Sequence, residues 1–81
     1  MDKMKEQKKW IGLNIYYYRR KRNLNQYELA ERVQISSRHL SAIENGRKNT
    51  TLHVLYRIAD VLEIPVSKLF EEGENANGCK D

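Results

Sequence analysis

The chain has 81 residues, 40% of them hydrophobic, and carries one cysteine and a net charge of +4; this suits a single small domain with one thin core and no internal disulfide. The lone Cys79 fits a reducing cytoplasm, no apolar run reaches the roughly 18 residues of a membrane span, and the charged opening residues have no apolar stretch behind them, so no secretory leader is expected. Four acids against one lysine after Phe70 leave residues 1–70 at a net +7, a basic body that suits a polyanionic partner.

Helical periodicity runs from about Trp10 to Phe70, with no strand-like alternation, repeat or Gly-rich phosphate loop. Residues 1–7, with lysines at 3 and 5, read as a flexible basic arm. A first helix is expected over residues 8–22, with Ile11, Ile15 and Tyr18 as its inner stripe. The stretch "YYYRRKR" at its end puts three tyrosines beside four cations. Tyr18 continues the stripe. Tyr16 and Tyr17 fall off it and read as half-exposed packing, while Arg20, Lys21 and Arg22 read as a solvated basic end. Asn23 stops the helix.

Asn25 is an N-cap for a second helix, with Glu28 placed to complete a capping box and Leu29, Ala30 and Val33 facing inward. Ser36 caps a third helix after very few residues. Its apolar pair is Leu40 and Ile43, and Gly46 stands at the position just past its end. Thr50 or Thr51 caps a fourth, with Leu52, Leu55, Ile58, Ala59 and Leu62 as its stripe. Pro65 fits the first turn of a short fifth helix carrying Val66, Leu69 and Phe70 inward. The segment from residue 73 to 81 is small, polar and acidic, and is expected to be a disordered tail. The class is therefore all-α, a compact five-helix bundle with its domain over residues 8–72.

The second and third helices are joined by a turn short enough to cross them steeply, so that the third projects from the body. At 100° per residue, Ser37, Arg38, Ser41, Ala42 and Asn45 share its outward side, opposite Leu40 and Ile43. Short polar side chains around one arginine suit a DNA major groove, where an arginine pairs bidentately with guanine. The same face suits plain solvent exposure, and the wheel alone does not separate the two.

"LNQYELAERVQISSRHLSAIENG" resembles the helix-turn-helix core of the phage-repressor and Cro type, the XRE family, whose fold is the lambda-repressor-like DNA-binding domain. The likeness includes Ile11, Gly12, Ile15 and Arg19, then Gln26, Leu29, Ala30 and Val33. It continues through Ile35, Ser36, Leu40, Ile43, Glu44 and Gly46 to Leu55, Ile58, Ala59 and Leu62. It implies a sequence-specific regulator of transcription, a repressor, that inserts the third helix into the major groove as a dimer on a near-palindromic operator. Ser37, Arg38, Ser41 and Ala42 would face bases. Gln26, Asn45, Arg47, Lys48 and Arg19 would meet phosphates. Arg19 and Glu44 would form a structural ion pair, and Val66, Leu69 and Phe70 are candidates for the dimer surface. Gln34 departs from the family pattern: glycine is common there because the backbone turns left-handed. The implied partners are double-stranded DNA and a second copy of the chain, in the cytoplasm of a bacterium or from a phage. The alternative is an antitoxin-like protein-interaction module that binds DNA secondarily. No catalytic role, cofactor or metal is expected, because His39, His53 and Cys79 lack ligand spacing.

Overall fold

The computed structural model describes residues 3–72. Residues 1 and 2, and the segment 73–81 with Cys79, lie outside the described residues. Four α-helices follow one another, α1 (Lys3–Lys21), α2 (Gln26–Val33), α3 (Ser37–Glu44) and α4 (Leu52–Leu62), and a 3-10 helix spans Val66–Phe70. The fifth element is thus not an α-helix, and the five-helix count is corrected to four plus a 3-10 turn. Pro65 sits before the element in extended backbone (φ −64°, ψ 144°), and Lys68 N–H donates to the Pro65 carbonyl at 3.0 Å. Five residues are too few to propagate an α-helix, and the tighter i→i+3 bond serves short pieces.

The caps form as the side chains dictate. Asn25 Oδ1 accepts from the Glu28 N–H at 2.7 Å while Glu28 Oε1 accepts from the Asn25 N–H at 2.8 Å. Ser36 Oγ accepts from the His39 N–H and Thr51, rather than Thr50, caps α4 through the Val54 N–H. The first helix starts at Lys3 instead of residue 8, so residues 3–7 of the segment expected as an arm are helical. Those residues are exposed. Their helix rests on the good propensities of Lys, Met, Glu and Gln and carries no apolar stripe to announce it.

Every α-helix ends with the same crossed pair of backbone bonds, the Schellman arrangement. Leu24 and Asn23 donate to Arg19 and Arg20, Ile35 and Gln34 to Ala30 and Glu31, Arg47 and Gly46 to Ala42 and Ile43, and Ile64 and Glu63 to Ala59 and Asp60. Among the described residues, the left-handed ones are Asn23, Gln34, Gly46 and Glu63, with φ of 59°, 67°, 73° and 59°. Only one is glycine. Gln34 Oε1 accepts a hydrogen bond from Arg57 Nη2 on α4, and Glu63 pairs with Arg22, the residue after α1, at 2.8 Å.

The core is built from Ile15, Leu29, Val33, Leu40, Ile43, Leu55, Ile58, Leu62 and Leu69, with Ile11 and Tyr18 packed at its margin. Leu52, expected in the α4 stripe, is 57% exposed. It opens the helix 60° around from Leu55, on the side where Tyr56 is also exposed. Asn14 is fully buried in the middle of α1, and its Nδ2 donates to the carbonyls of Leu69 at 2.9 Å and Glu71 at 2.6 Å. That side chain fastens the 3-10 helix to α1. No helix among the described residues is long and apolar enough to cross a membrane.

Candidate DNA interface

Glu44 is the junction of the helix-turn-helix unit. It is the last residue of α3, and its side chain is 4% exposed. Arg19 Nε donates to Glu44 Oε2 at 2.7 Å and Arg19 Nη2 to Oε1 at 3.0 Å, while Nη1 donates to the Leu24 carbonyl at 2.9 Å. Gln26 Nε2 donates to the same Oε1 at 3.0 Å. One carboxylate therefore joins α1, the first residue of α2 and the end of α3. The fork is bidentate and charge-assisted, the strong form of such a contact. Its burial means that the desolvation cost offsets much of the attraction, so its main effect is to fix orientation.

Close approach of α1 to α3 depends on Gly12. A Cβ at this position would lie 2.6 Å from the Glu44 carbonyl oxygen and nearer still to that of Ile43. The backbone itself forms the contact surface. The turn from α2 into α3 passes through Gln34 in the left-handed region, which is the conformation that glycine otherwise supplies.

On α3 so held, Ser37 and Arg38 are exposed, Ser41 and Ala42 half-buried, and Leu40 and Ile43 turned into the core. Asn45 is exposed, with a long 3.5 Å contact from its Nδ2 to Ser41 Oγ. Arg47 and Lys48 stand exposed in the following loop. Among the described residues, the side chains of Arg38, Arg47 and Lys48 have no ion-pair or hydrogen-bond partner, in contrast to that of Arg19. Three nitrogens of Arg19 are engaged internally, leaving two of its five N–H groups for anything outside. The dimer candidates divide: Leu69 is fully buried in the core, while Val66 and Phe70 are partly exposed.

A helix-turn-helix family model matches residues 15–69. The chain belongs to the helix-turn-helix family. Within it, the chain is of the XRE type, a DNA-binding transcriptional regulator. It is 36% identical over 59 residues to an HTH-type transcriptional regulator, y4dJ, of Sinorhizobium fredii, a match covering 73% of this chain and 77% of that one. It is 37% identical over 62 residues to the immunity repressor protein of Bacillus phage phi105, covering 76% of this chain but 43% of the phage protein. Its fold superposes on the crystal structure of the clp gene regulator ClgR from Corynebacterium glutamicum with a TM-score of 0.76 at 25% identity, covering 88% of this chain and 72% of that one.

The "YYYRRKR" stretch separates as the helix wheel implies, with one correction. Tyr16, Tyr17 and Tyr18 are all half-buried, and Tyr17 and Tyr18 meet edge to face with centroids 4.9 Å apart. Arg19 and Arg20 flank the Tyr16 ring at 5.4 and 5.6 Å. Arg22, however, is not simply a solvated charge. Its Nε donates to the Leu62 carbonyl at 3.1 Å and its Nη2 pairs with Glu63, so it closes the C-terminal end of α4 against α1. Sequence reasoning missed this, as it missed Asn14 and the Gln34–Arg57 tie. Each partner lies on another helix, and no local pattern encodes that.

Proposed function

We propose that this helix-turn-helix regulator is a sequence-specific repressor that lays α3 in the DNA major groove, as a dimer on a near-palindromic site. The observation that carries the reading is the contrast around α3. Glu44, Arg19 and Gln26 are locked inward, while Arg38, Arg47 and Lys48 are exposed and unpaired among the described residues. An unpaired cation on a face of small side chains gives up no internal contact when it meets DNA.

In this reading Arg38 reads guanine O6 and N7 with two N–H groups of its guanidinium, and Ser37, Ser41 and the Ala42 methyl are secondary readers. Asn45, Arg47 and Lys48, with the amides that open α2 and α3, take phosphates, joined by the one Nε2 N–H that Gln26 keeps beyond its bond to Glu44. Arg19 acts chiefly through Glu44, with its two remaining N–H groups available to a phosphate oxygen. One such unit reads a few base pairs, so two copies with recognition helices about 34 Å apart supply the rest. Val66 and Phe70 are the side chains offered to that contact. A repressor role is supported by likeness to a phage protein that is itself named an immunity repressor.

The test is selection of bound duplexes from random oligonucleotides, followed by binding of the Arg38→Ala variant. A two-fold symmetric motif is expected. Arg38→Ala should lose about 1–3 kcal/mol on that motif and little on unrelated duplex. Equal losses on both would remove Arg38 from base reading, and no enriched motif would remove sequence specificity.

A further inference from the structure

α1 carries two apolar lines. Ile15 lies in the core and Ile11 and Tyr18 pack against it, whereas Trp10 and Tyr17 belong to neither group. With Leu13 they form a second line at i, i+3 and i+7, about 130° around the helix from the first and about 130° from Gly12, which touches α3. All three members are half-buried. Single exposed apolar groups are ordinary on a protein surface, but two aromatics and a leucine in register on one helix are a patch. Trp and Tyr are also the side chains that dominate the energy where proteins meet.

The line sits on a firm support. The backbone of Lys8 and Lys9 passes Gly46 of the α3–α4 loop, where a Cβ on that glycine would lie 3.3 Å from the Lys9 Cα. Asn14 ties the middle of the helix to the carbonyls of Leu69 and Glu71.

Charge selects the occupant. Exposed Lys3, Lys9, Arg20 and Lys21 all lie within about 75° of the centre of the line, against Glu6 as the one carboxylate of α1. Lys9 and Lys21 stand over the Trp10 and Tyr17 rings at 5.8 and 5.5 Å. The Glu71 carboxylate, near this side through the carbonyl bond to Asn14, is paired with Lys68 at 3.3 Å. An apolar seam between cations complements a segment whose apolar stripe runs between acids. Steps of three and four residues are those of a helix laid against a helix.

Two other occupants fit less well. A second copy of α1, paired antiparallel, would set Lys3 and Lys9 against Arg20 and Lys21, cation against cation; parallel pairing sets each against itself. A lipid surface takes up a broad apolar face that sinks roughly 5–10 Å, and a line one side chain wide, already half-buried, does not supply it.

We infer that Trp10, Leu13 and Tyr17 form a docking seam for an acidic amphipathic helix of another protein. Docking there is independent of the DNA reading, and no duplex enters its test. Trp10 is the only tryptophan of the chain, so its emission reports on the seam directly.

The full chain is titrated with a synthetic peptide of about three heptads carrying leucines at a and d and glutamates at e and g. Controls are a twin with lysines at e and g and a scrambled acidic peptide. A saturable blue shift with the acidic peptide alone, weaker at high salt, is expected. Tyr17→Ser should lower the affinity about tenfold or more. The Arg20→Glu, Lys21→Glu variant, altered only at exposed positions, should prefer the lysine twin, which keeps the test open if Tyr17→Ser fails to fold. No shift with the acidic peptide, or equal shifts with all three, overturns the seam. A shift with phosphatidylglycerol vesicles and none with peptide would make it a lipid contact. A concentration-dependent shift in the protein alone, with a dimer mass by sedimentation that Arg20→Glu, Lys21→Glu alters, would give the seam to a second copy and overturn the acidic partner.

Discussion

Replacement of Gly12 by alanine sets two effects of opposite sign against each other. Glycine in a helix interior is about 1 kcal/mol worse than alanine, so propensity alone predicts that Gly12→Ala stabilises α1 by that amount. The contact with α3 predicts the reverse. The new methyl would meet the Glu44 carbonyl oxygen at 2.6 Å and the Glu44 carbonyl carbon at 2.8 Å. Close C···O contacts in proteins lie at about 3.3–3.6 Å, so the two backbones must part by about 1 Å. Neither neighbour is a flexible side-chain end that could swing away. The separation would also stretch the Arg19–Glu44 fork, whose bonds are 2.7 and 3.0 Å. Overpacking of a tight core costs about 1–3 kcal/mol, and a disrupted buried ion pair adds to it. After the propensity gain, a net loss of about 2 kcal/mol is expected, which in a domain of this size lowers Tm by about 8–16 °C. Thermal and urea unfolding followed by circular dichroism measure it directly. A variant as stable as the wild type, or more so, would refute the claim that α1 and α3 are held at backbone contact.

Four further outcomes are expected. Glu44→Ala strands the buried Arg19 guanidinium and should cost about 3–5 kcal/mol of stability, whereas the Arg19→Met, Glu44→Met pair should lose much less; equal losses in urea titrations would contradict the orienting role. Arg47→Ala should weaken binding to any duplex alike and reduce the salt slope by about one unit, read by fluorescence anisotropy. Asn14→Leu keeps the volume but removes two hydrogen bonds to the Leu69 and Glu71 carbonyls; amide exchange around the 3-10 helix should quicken several-fold or more, each lost bond counting for about 1 kcal/mol. Gln34→Gly removes the left-handed strain of about 1 kcal/mol but also the tie to Arg57, so its measured gain should fall short of that figure, and the full gain should appear only when Arg57 is already alanine.

The short helices were legible because their signals are local. Asn25, Ser36 and Thr51 bond to amides three residues on, and Gly46 adopts the left-handed turn where glycine is easiest. The outward face of α3 followed from 100° per residue. The Arg19–Glu44 pair, 25 residues apart, came only through likeness to a family. The unread features share one cause: their partners are distant in the chain. Asn14 looks like a solvent-facing residue until the carbonyls of Leu69 and Glu71 arrive beside it. Leu52 satisfies the helical period but sits at the edge of the stripe, where no neighbouring helix covers it. The start of α1 escaped notice because a helix that buries nothing leaves no periodic mark.

The hold of Asn14 on Glu71 also decides where a polypeptide departs from this fold. Around the axis of α1, Asn14 lies about 160° from Gly12, which touches α3. Glu71 is thus held behind α1, on the far side from α3. A fluorescent protein, affinity handle or second module joined directly after Glu72 would start there, on the opposite side of α1 from α3. A fusion at the N-terminus would instead start from the exposed end of α1 that crosses the α3–α4 loop. For immobilising or labelling this protein without masking its open face, positions 3 and 72 are not equivalent.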